Sequence, residues 1–589
     1  MPTYKAPVKD MLFVLNDVLK LERYSNLESF AEATPDIIAA IVKQGGKFCE
    51  EVLQPINLSG DKEGCIRHED GSVTTPKGFK EAYDLYCQGG WGGLTAPTEF
   101  GGQGLPWVLS VIIQELTASA NLGFSLYPFL TAGVAGLLNK IGTDEQKKTY
   151  LPNMISGKWT GTMNLTEPQC GTDLRLLRTK AEPQDDGSYK ITGTKIFISA
   201  GEHDLSENII HLVLARIPGG PEGVKGISLF LVPKLIDGKP NRVSCGSIEE
   251  KMGIHSNSTC LLNYDGATGS LVGKEHEGLR GMFVLMNAAR LGTGLQALGL
   301  SEVATQNAAD YARDRLQGRS LTGVKFPDKV ADPIIVHADV RRMLMNARCF
   351  NEGGRALALW IGLQMDLEEK AETEDERKTA KNLLALMIPT AKGVMSDLGY
   401  ANATNAQQVF GGHGYIHEWG MEQFVRDARI TMLYEGTNGI QAMDLVGRKL
   451  PKDNGEAIRA YFQMIEGYCK EYEKDYAEFT DPLKKALGDL QQAAMWLMQN
   501  AVKNPDNAGA AATSFMHLMG LVALGHMWAW MAVTSDQALK AGASDKAFHE
   551  AKLITARYFM NRHLPQTGSY YKKIEAGSEF MMALPAEAF

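Results

Sequence analysis

The strongest constraint on this chain is a change of texture along it. Residues 161–277 hold short β-prone runs separated by turn signals, and the sequence on both sides of them reads as helix. Inside the block an alternating run leads from Tyr189 to Ser199, and apolar runs follow at residues 209–217, 227–233 and 261–273. Asp185-Asp186-Gly187-Ser188 is a turn between short β-prone runs, and Pro218-Gly219-Gly220-Pro221-Glu222-Gly223 joins 209–217 to 227–233. Strands at this spacing, with no helix between, predict a small antiparallel barrel or sandwich. The fold class is therefore α+β. An N-terminal helical domain covers residues 1–160, a small antiparallel β-domain 161–277, a C-terminal four-helix bundle 278–450, and an extra C-terminal helical domain 451–589. A chain of 589 residues exceeds what one core organises, which agrees with several domains.

The helical reading rests on spacing. Met11, Leu12, Val14, Leu15, Val18 and Leu19 recur at helical intervals within residues 9–23, and helices are expected at 35–53, 107–121, 131–141 and 144–154. Thr143 or Asp144 caps the last of these. The glycine-rich stretch from Trp91 to Gly104 is expected to be a surface turn or a point of close backbone approach. Beyond the β-block, long helices are expected at 281–316, 336–367 and 378–401, with a loop over 318–334. Pro451-Lys452-Asp453-Asn454-Gly455 marks the next boundary.

Composition narrows the function classes. A net charge of −9 argues against nucleic acid or an anionic membrane as partner. The eight cysteines are scattered, without a C-x-x-C pair or a Cys/His cluster, so neither a zinc site nor a disulfide framework is expected, and a reducing cytoplasm suits them. Residues 2–7 follow no basic-then-apolar signal pattern. Residues 515–533 are the nearest approach to a membrane span, but His517, His526 and two glycines favour a buried helix.

Two stretches carry chemistry. The first runs from Gln408-Val409-Phe410-Gly411-Gly412-His413-Gly414-Tyr415 to Tyr434-Glu435-Gly436-Thr437-Asn438, with Arg426 and Arg429 between. Glu435 follows an apolar run, so its carboxylate is expected to be partly desolvated, which raises a pKa and makes a useful base near neutral pH. The alternative is a surface glutamate beside a helix-stop glycine. The second stretch, Thr162 to Asp173, is a Thr/Pro/Gly loop able to present N–H and hydroxyl groups to a polar ring or phosphate. No P-loop, no strand-borne G-x-G-x-x-G and no G-x-S-x-G elbow occurs.

Motif order adds what spacing alone does not. Leu165-Thr166-Glu167-Pro168-x-x-Gly171-Thr172-Asp173, Lys195-x-Phe197-Ile198-Ser199, Arg290, Tyr311-Ala312-x-x-Arg315, Gln408-x-x-Gly411-Gly412-x-Gly414-Tyr415, Arg426-Asp427 and Tyr434-Glu435-Gly436-Thr437 together resemble the acyl-CoA dehydrogenase family over residues 40–450. The segment Pro2-Thr3-Tyr4-Lys5-Ala6-Pro7 and the C-terminal extension resemble its subgroup acting on 3-(methylthio)propionyl-CoA, in the demethylation pathway of dimethylsulfoniopropionate.

The resemblance implies FAD. Thr166 would bond the flavin ring, with the Met163 and Leu165 backbones beside it, and Phe197 and Ser199 would border its other side, where the family often has Trp and Thr. Gly171 and Thr172 would lie near the pyrophosphate, where serine is more frequent than Thr172. Arg315 would meet the diphosphate of a neighbouring subunit's FAD, although Gln317-Gly318 lacks the phenylalanine usual in that loop. Gln408, Gly411 and Gly412 would hold the adenosine side, and Thr437 would touch the FAD. Thr172, Arg290 and Gly436 are the expected substrate-side residues. Glu435 would take the α-proton of the thioester while its N–H binds the developing oxyanion. The position that carries the base in some members, just before Arg290, is here Ala289, which accepts no proton. An electron-transfer flavoprotein as acceptor follows from the same resemblance, and a homodimer is expected because the extension after residue 450 would cover a face that other members use to form tetramers. A general short- or medium-chain acyl-CoA dehydrogenase and a non-catalytic flavoprotein relative remain alternatives.

Overall fold

A computed structural model of the chain describes residues 2–589 and divides into two compact units. One comprises residues 47–105 and 116–289. The other comprises residues up to 46, 106–115 and 290–589. The boundary at Ala289/Arg290 falls inside a single long helix, Gly278–Asp314.

The first unit is built on a sheet. A hairpin of β1 (Ile66–Arg67) and β2 (Val73–Thr74) precedes it, within a stretch that the sequence reads as helical throughout. The main sheet contains β3 (Trp159–Asn164), β4 (Lys180–Pro183), β5 (Tyr189–Ser199), β6 (Asn208–Arg216) and β7 (Ile227–Pro233). After a small hairpin of β8 (Leu235–Ile236) and β9 (Lys239–Pro240), it is completed by β10 (Val243–Ile248) and β11 (Thr259–Leu271). Pairing runs β11–β5–β4–β6–β7 and returns from β7 to β11, so five strands close a barrel, with β10 and β3 as flanks. The ladders are antiparallel except for β3 and β4 against β6, where pairing is parallel. Closure leaves fewer exposed edges.

Strand β6 shows why the apolar run is continuous. Ile210, Leu212 and Leu214 pack outward into a core shared with Val134, Leu137, Leu138, Leu151 and Met154 of the helices Leu122–Ile141 and Asp144–Ile155. Val213 and Ala215 face the opposite way, onto Ile191, Phe230, Leu262 and Tyr264. Successive side chains point to opposite faces, and both faces are buried. The expected helix at 131–141 begins instead at Leu122, capped by the Asn121 side chain on Phe124 N at 3.0 Å. Burial on nearly all sides overrides the internal Pro128 and the early glycine. Thr143 and Gln146 form a reciprocal capping box at the start of Asp144–Ile155.

The second unit is helical. The helices Ala338–Lys370 and Glu374–Val409 pair along their lengths, and shorter helices Met421–Arg429 and Asn438–Asp444 follow. The boundary expected at 451–455 is a turn in which Asp453, Asn454 and Gly455 all take left-handed backbone. The extension comprises the helices Glu456–Asn500, Asp506–Lys540, Lys546–Arg562 and Gln566–Glu575. Asp506–Lys540 and Leu122–Ile141 are long and apolar enough to cross a membrane, but each is mostly buried. Residues 9–23 depart from one regular helix: Val8–Leu12 continues as wide π-turns over Phe13–Val18 and stops where Lys20 takes φ +53°. A buried ionic cluster ties this segment down, with Arg355 meeting Asp10, Glu115 and Glu302 while Lys552 meets Asp10 and Glu352.

Candidate active site

In the helical unit, Glu435 sits on a turn between Met421–Arg429 and Asn438–Asp444. Its own φ is +58° and that of Gly436 is +82°. A left-handed non-glycine residue costs free energy and is retained where the surroundings impose it. A Cβ on Gly436 would lie 2.6 Å from Nε2 of Gln441, which donates to the Glu435 carbonyl at 3.0 Å and so holds the turn. The Thr437 hydroxyl caps the following helix by accepting from Ile440 N at 3.3 Å. Tyr434 donates its hydroxyl to Gln296.

The electrostatics of this turn are uneven. Glu435 retains some exposed surface, but protein crowds its carboxylate, and this loss of water pushes its pKa above the ordinary carboxylate range. Arg290 and Lys392 pull the other way. Arg290 is 5% exposed and lies 3.4 Å from Asp444. Lys392 is fully buried and donates to Asn438 Oδ1 at 2.8 Å, and burial draws its ammonium down to about 8. Among the described residues the Glu435 carboxylate accepts no hydrogen bond, and its N–H meets no acceptor.

The same unit contains a cleft of about 370 Å³ lined by Tyr311, Arg315, Gln317, Gln408, Phe410, Gly411, Gly412 and His413. Tyr311 stacks on Phe410 at 4.2 Å and donates to or accepts from His413 Nδ1 at 2.9 Å. Arg315 is exposed and has no ion-pair partner among the described residues. Gly411 takes φ +58°, and a Cβ on Gly411 or Gly412 would project into open space.

In the sheet unit, β3 ends at Asn164 and delivers the Leu165–Pro168 loop. Lys195 of β5 fastens that loop, donating to Leu165 O at 3.0 Å and to Glu167 Oε1 at 2.8 Å, and Ile196 N donates to Thr166 O at 3.0 Å. Phe197 takes φ +58° and is 58% exposed. The Ser199 carbonyl accepts from the Thr162 hydroxyl at 2.7 Å.

Four family models match in order along the chain: "Acyl-CoA dehydrogenase, N-terminal domain" at residues 39–158, the middle domain at 162–267, the C-terminal domain at 276–450, and "Acetyl-CoA dehydrogenase C-terminal like" at 461–585. The 3-methylmercaptopropionyl-CoA dehydrogenase of Ruegeria pomeroyi is 42% identical, over 99% of this chain and 100% of that protein. The chain belongs to the acyl-CoA dehydrogenase family. A broad-specificity linear acyl-CoA dehydrogenase of Mycobacterium tuberculosis is 33% identical, with each protein covered in full. The solved structure of Caenorhabditis elegans ACDH-11 in complex with C11-CoA has TM-score 0.80 over 98% of this chain and 95% of that one, at 18% identity, so it shares the fold including the extension.

Within this acyl-CoA dehydrogenase, the expected site residues fall into three groups. Arg315, Gln317, Gln408, Gly411 and Gly412 line one cleft. Glu435, Gly436, Thr437 and Arg290 belong to the Glu435 turn and its surroundings, with Arg290 buried and its charge acting on Glu435 rather than open to solvent. Met163, Leu165, Thr166, Phe197 and Ser199 gather on β3, β5 and the loop between β3 and β4, and Gly171 and Thr172 are exposed farther along that loop. Sequence reasoning missed Lys392, Asn438, Asp444 and Gln441. One signal was present: Lys392 is a lone cation in the apolar run Leu383 to Met395.

Proposed function

We propose that this enzyme removes the α-proton of 3-(methylthio)propionyl-CoA with Glu435, forming 3-(methylthio)acryloyl-CoA. The observation that carries the reading is the Glu435 turn: a crowded carboxylate with no hydrogen bond, flanked by two cations, beside a backbone N–H without an acceptor among the described residues. The substrate choice is supported by the 42% identity to the Ruegeria pomeroyi enzyme.

The residues suit the family's cofactor, FAD. The cleft offers the unpaired Arg315 for a diphosphate and open space at Gly411 and Gly412, and Phe197 presents an exposed aromatic ring on a braced loop. The residues that would hold it are Arg315, Gln317, Gln408, Gly411, Gly412, Thr437, Met163, Leu165, Thr166, Gly171, Thr172, Phe197 and Ser199. Bound FAD supplies the acceptor for the Cβ hydride. The chain's own contribution is the proton and the charge. The α-proton is weakly acidic, so its removal needs a base without hydrogen-bonding partners to quench it and a donor for the thioester oxygen. The Glu435 carboxylate takes the proton, and its N–H bonds the developing enolate oxygen. Left-handed backbone at Glu435 and Gly436 lets one residue serve both ends.

The acceptor for the reduced enzyme, in this reading, is an electron-transfer flavoprotein, and the working form is a homodimer in the cytoplasm. Family resemblance supports the acceptor, the C-terminal extension supports the homodimer, and the scattered cysteines support a reducing compartment.

Anaerobic mixing of FAD-loaded enzyme with a panel of acyl-CoAs tests the reading through flavin bleaching. The methylthio thioester should bleach fastest, and Glu435→Gln should lose roughly 10²–10⁴-fold in rate with FAD retained. Equal bleaching by butyryl-CoA would favour a general acyl-CoA dehydrogenase, as the 33% identity to the broad-specificity enzyme allows. Undiminished bleaching by Glu435→Gln would remove Glu435 from the mechanism.

A further inference from the structure

A short polar chain links the C-terminal extension to the catalytic turn. Lys392 is fully buried on Glu374–Val409, and its ammonium donates to Oδ1 of Asn438, three residues beyond Glu435. An ammonium carries three donors, and Asn438 Oδ1 is the one acceptor this one meets among the described residues. The Asn438 amide is fixed in orientation, since its Nδ2 donates to Asp397 Oδ1 at 2.7 Å and to Ser396 Oγ at 2.9 Å. Asp397 Oδ2 lies 2.9 Å from Nε2 of His517, presented by the extension helix Asp506–Lys540. Tyr570 of the extension stacks on the His517 ring at 5.6 Å and 11°. The extension helix also packs against Asn438–Asp444.

The two cations beside Glu435 are not equivalent. Arg290, from Gly278–Asp314, exerts the larger pull on Glu435 but has a carboxylate partner of its own, Asp444 at 3.4 Å, which it shares with Arg448. Lys392 has no carboxylate bonded to it. Its field falls on Glu435 and on Asp397, and Asp397 is already engaged by Asn438 and His517. Lys392 is thus the cation whose charge is least committed elsewhere.

We propose that Lys392 is a positioning residue that keeps Glu435 ionised before proton abstraction, and that the extension, through His517, Asp397 and Asn438, holds the Lys392 ammonium in place. The proposal rests on Glu435 being the base. Removing the Lys392 charge leaves Glu435 with burial opposed by Arg290 alone, so its proton is held more tightly and the base is filled at higher pH.

The test is the pH profile of the first-turnover bleaching rate, from about pH 5 to 9, for FAD-loaded wild type, Lys392→Met, Lys392→Arg and His517→Ala. In Lys392→Met the acid limb should move up by about one unit, a roughly tenfold loss of rate below the limb, with much less change above it. Lys392→Arg should keep the wild-type limb. His517→Ala should move it in the same direction by less, about two- to threefold in rate. The infrared carboxylic-acid band that disappears in Glu435→Gln should titrate at correspondingly higher pH in Lys392→Met. An acid limb in Lys392→Met that coincides with wild type overturns the proposal. If that variant does not fold, an unmoved limb in His517→Ala overturns it instead. Failure of the underlying assignment is distinct: Glu435→Gln would then bleach as fast as wild type.

Discussion

Two buried lysines in this molecule stand beside glutamates whose pKa values move in opposite directions. Lys195 and Lys392 are both fully buried, and burial draws both down to about 8. Each also lies close to a non-glycine residue at φ +58°, Phe197 in one case and Glu435 in the other. Yet the carboxyl beside Lys195, Glu167, is held down at about 2, while Glu435 is pushed up. The direct ion pair with Lys195 and the hydrogen bonds around Glu167 make the difference. Glu167 accepts from Lys195, Gln169, Arg178 N, Thr179 N and the Thr179 hydroxyl. Among the described residues, Glu435 accepts from none. A carboxylate saturated with donors is a fastener and a poor base, whereas one left without donors costs stability and gains reactivity. The first braces the Leu165–Pro168 loop, and the second is available to a substrate.

The contrast breaks most readily at Glu167. Glu167→Gln leaves the buried Lys195 ammonium without its counter-charge and should destabilise the sheet unit by about 3 kcal/mol, read by denaturant unfolding. A loss below about 0.5 kcal/mol would mean the pair is dispensable. A smaller effect follows with pH. Because the folded Glu167 carboxyl sits at about 2 against an ordinary 4.5, its contribution is full above 4.5 and is lost as pH falls toward 2. The stability gap between wild type and Glu167→Gln should therefore close over that interval. The smallest effect is at Glu435. Its raised pKa means that the ionised form costs stability once pH exceeds the ordinary 4.5. Glu435→Gln should melt at or slightly above the wild-type temperature at neutral pH, with the difference vanishing in acid. Clear destabilisation at neutral pH would make Glu435 a fastener as well.

Much of the architecture was legible in the sequence. The strands expected at 209–217 and 227–233 are found as β6 and β7, because an apolar run buried on both faces leaves a continuous signature. The short strands β1, β2, β4 and β10 left no such mark, since pairing with neighbours rather than residue type stabilises them. In the site, Glu435 and the residues of the Arg315 cleft were readable as motifs. Lys195 lay in plain view within its motif, but nothing local revealed that it fastens the loop at Glu167, 28 residues earlier.

The sequence by itself determined the order of helix, β-domain and helix, the family, and the motif that carries the acid Glu435, because these depend on local periodicity and on residue types at fixed spacings. Only the tertiary structure decided how strongly that acid holds its proton. Lys392 reaches Asn438 across 46 residues, and His517 reaches Asp397 across 120. Desolvation and charge act through space, so the environment that separates Glu435 from Glu167 exists only once the helices have packed.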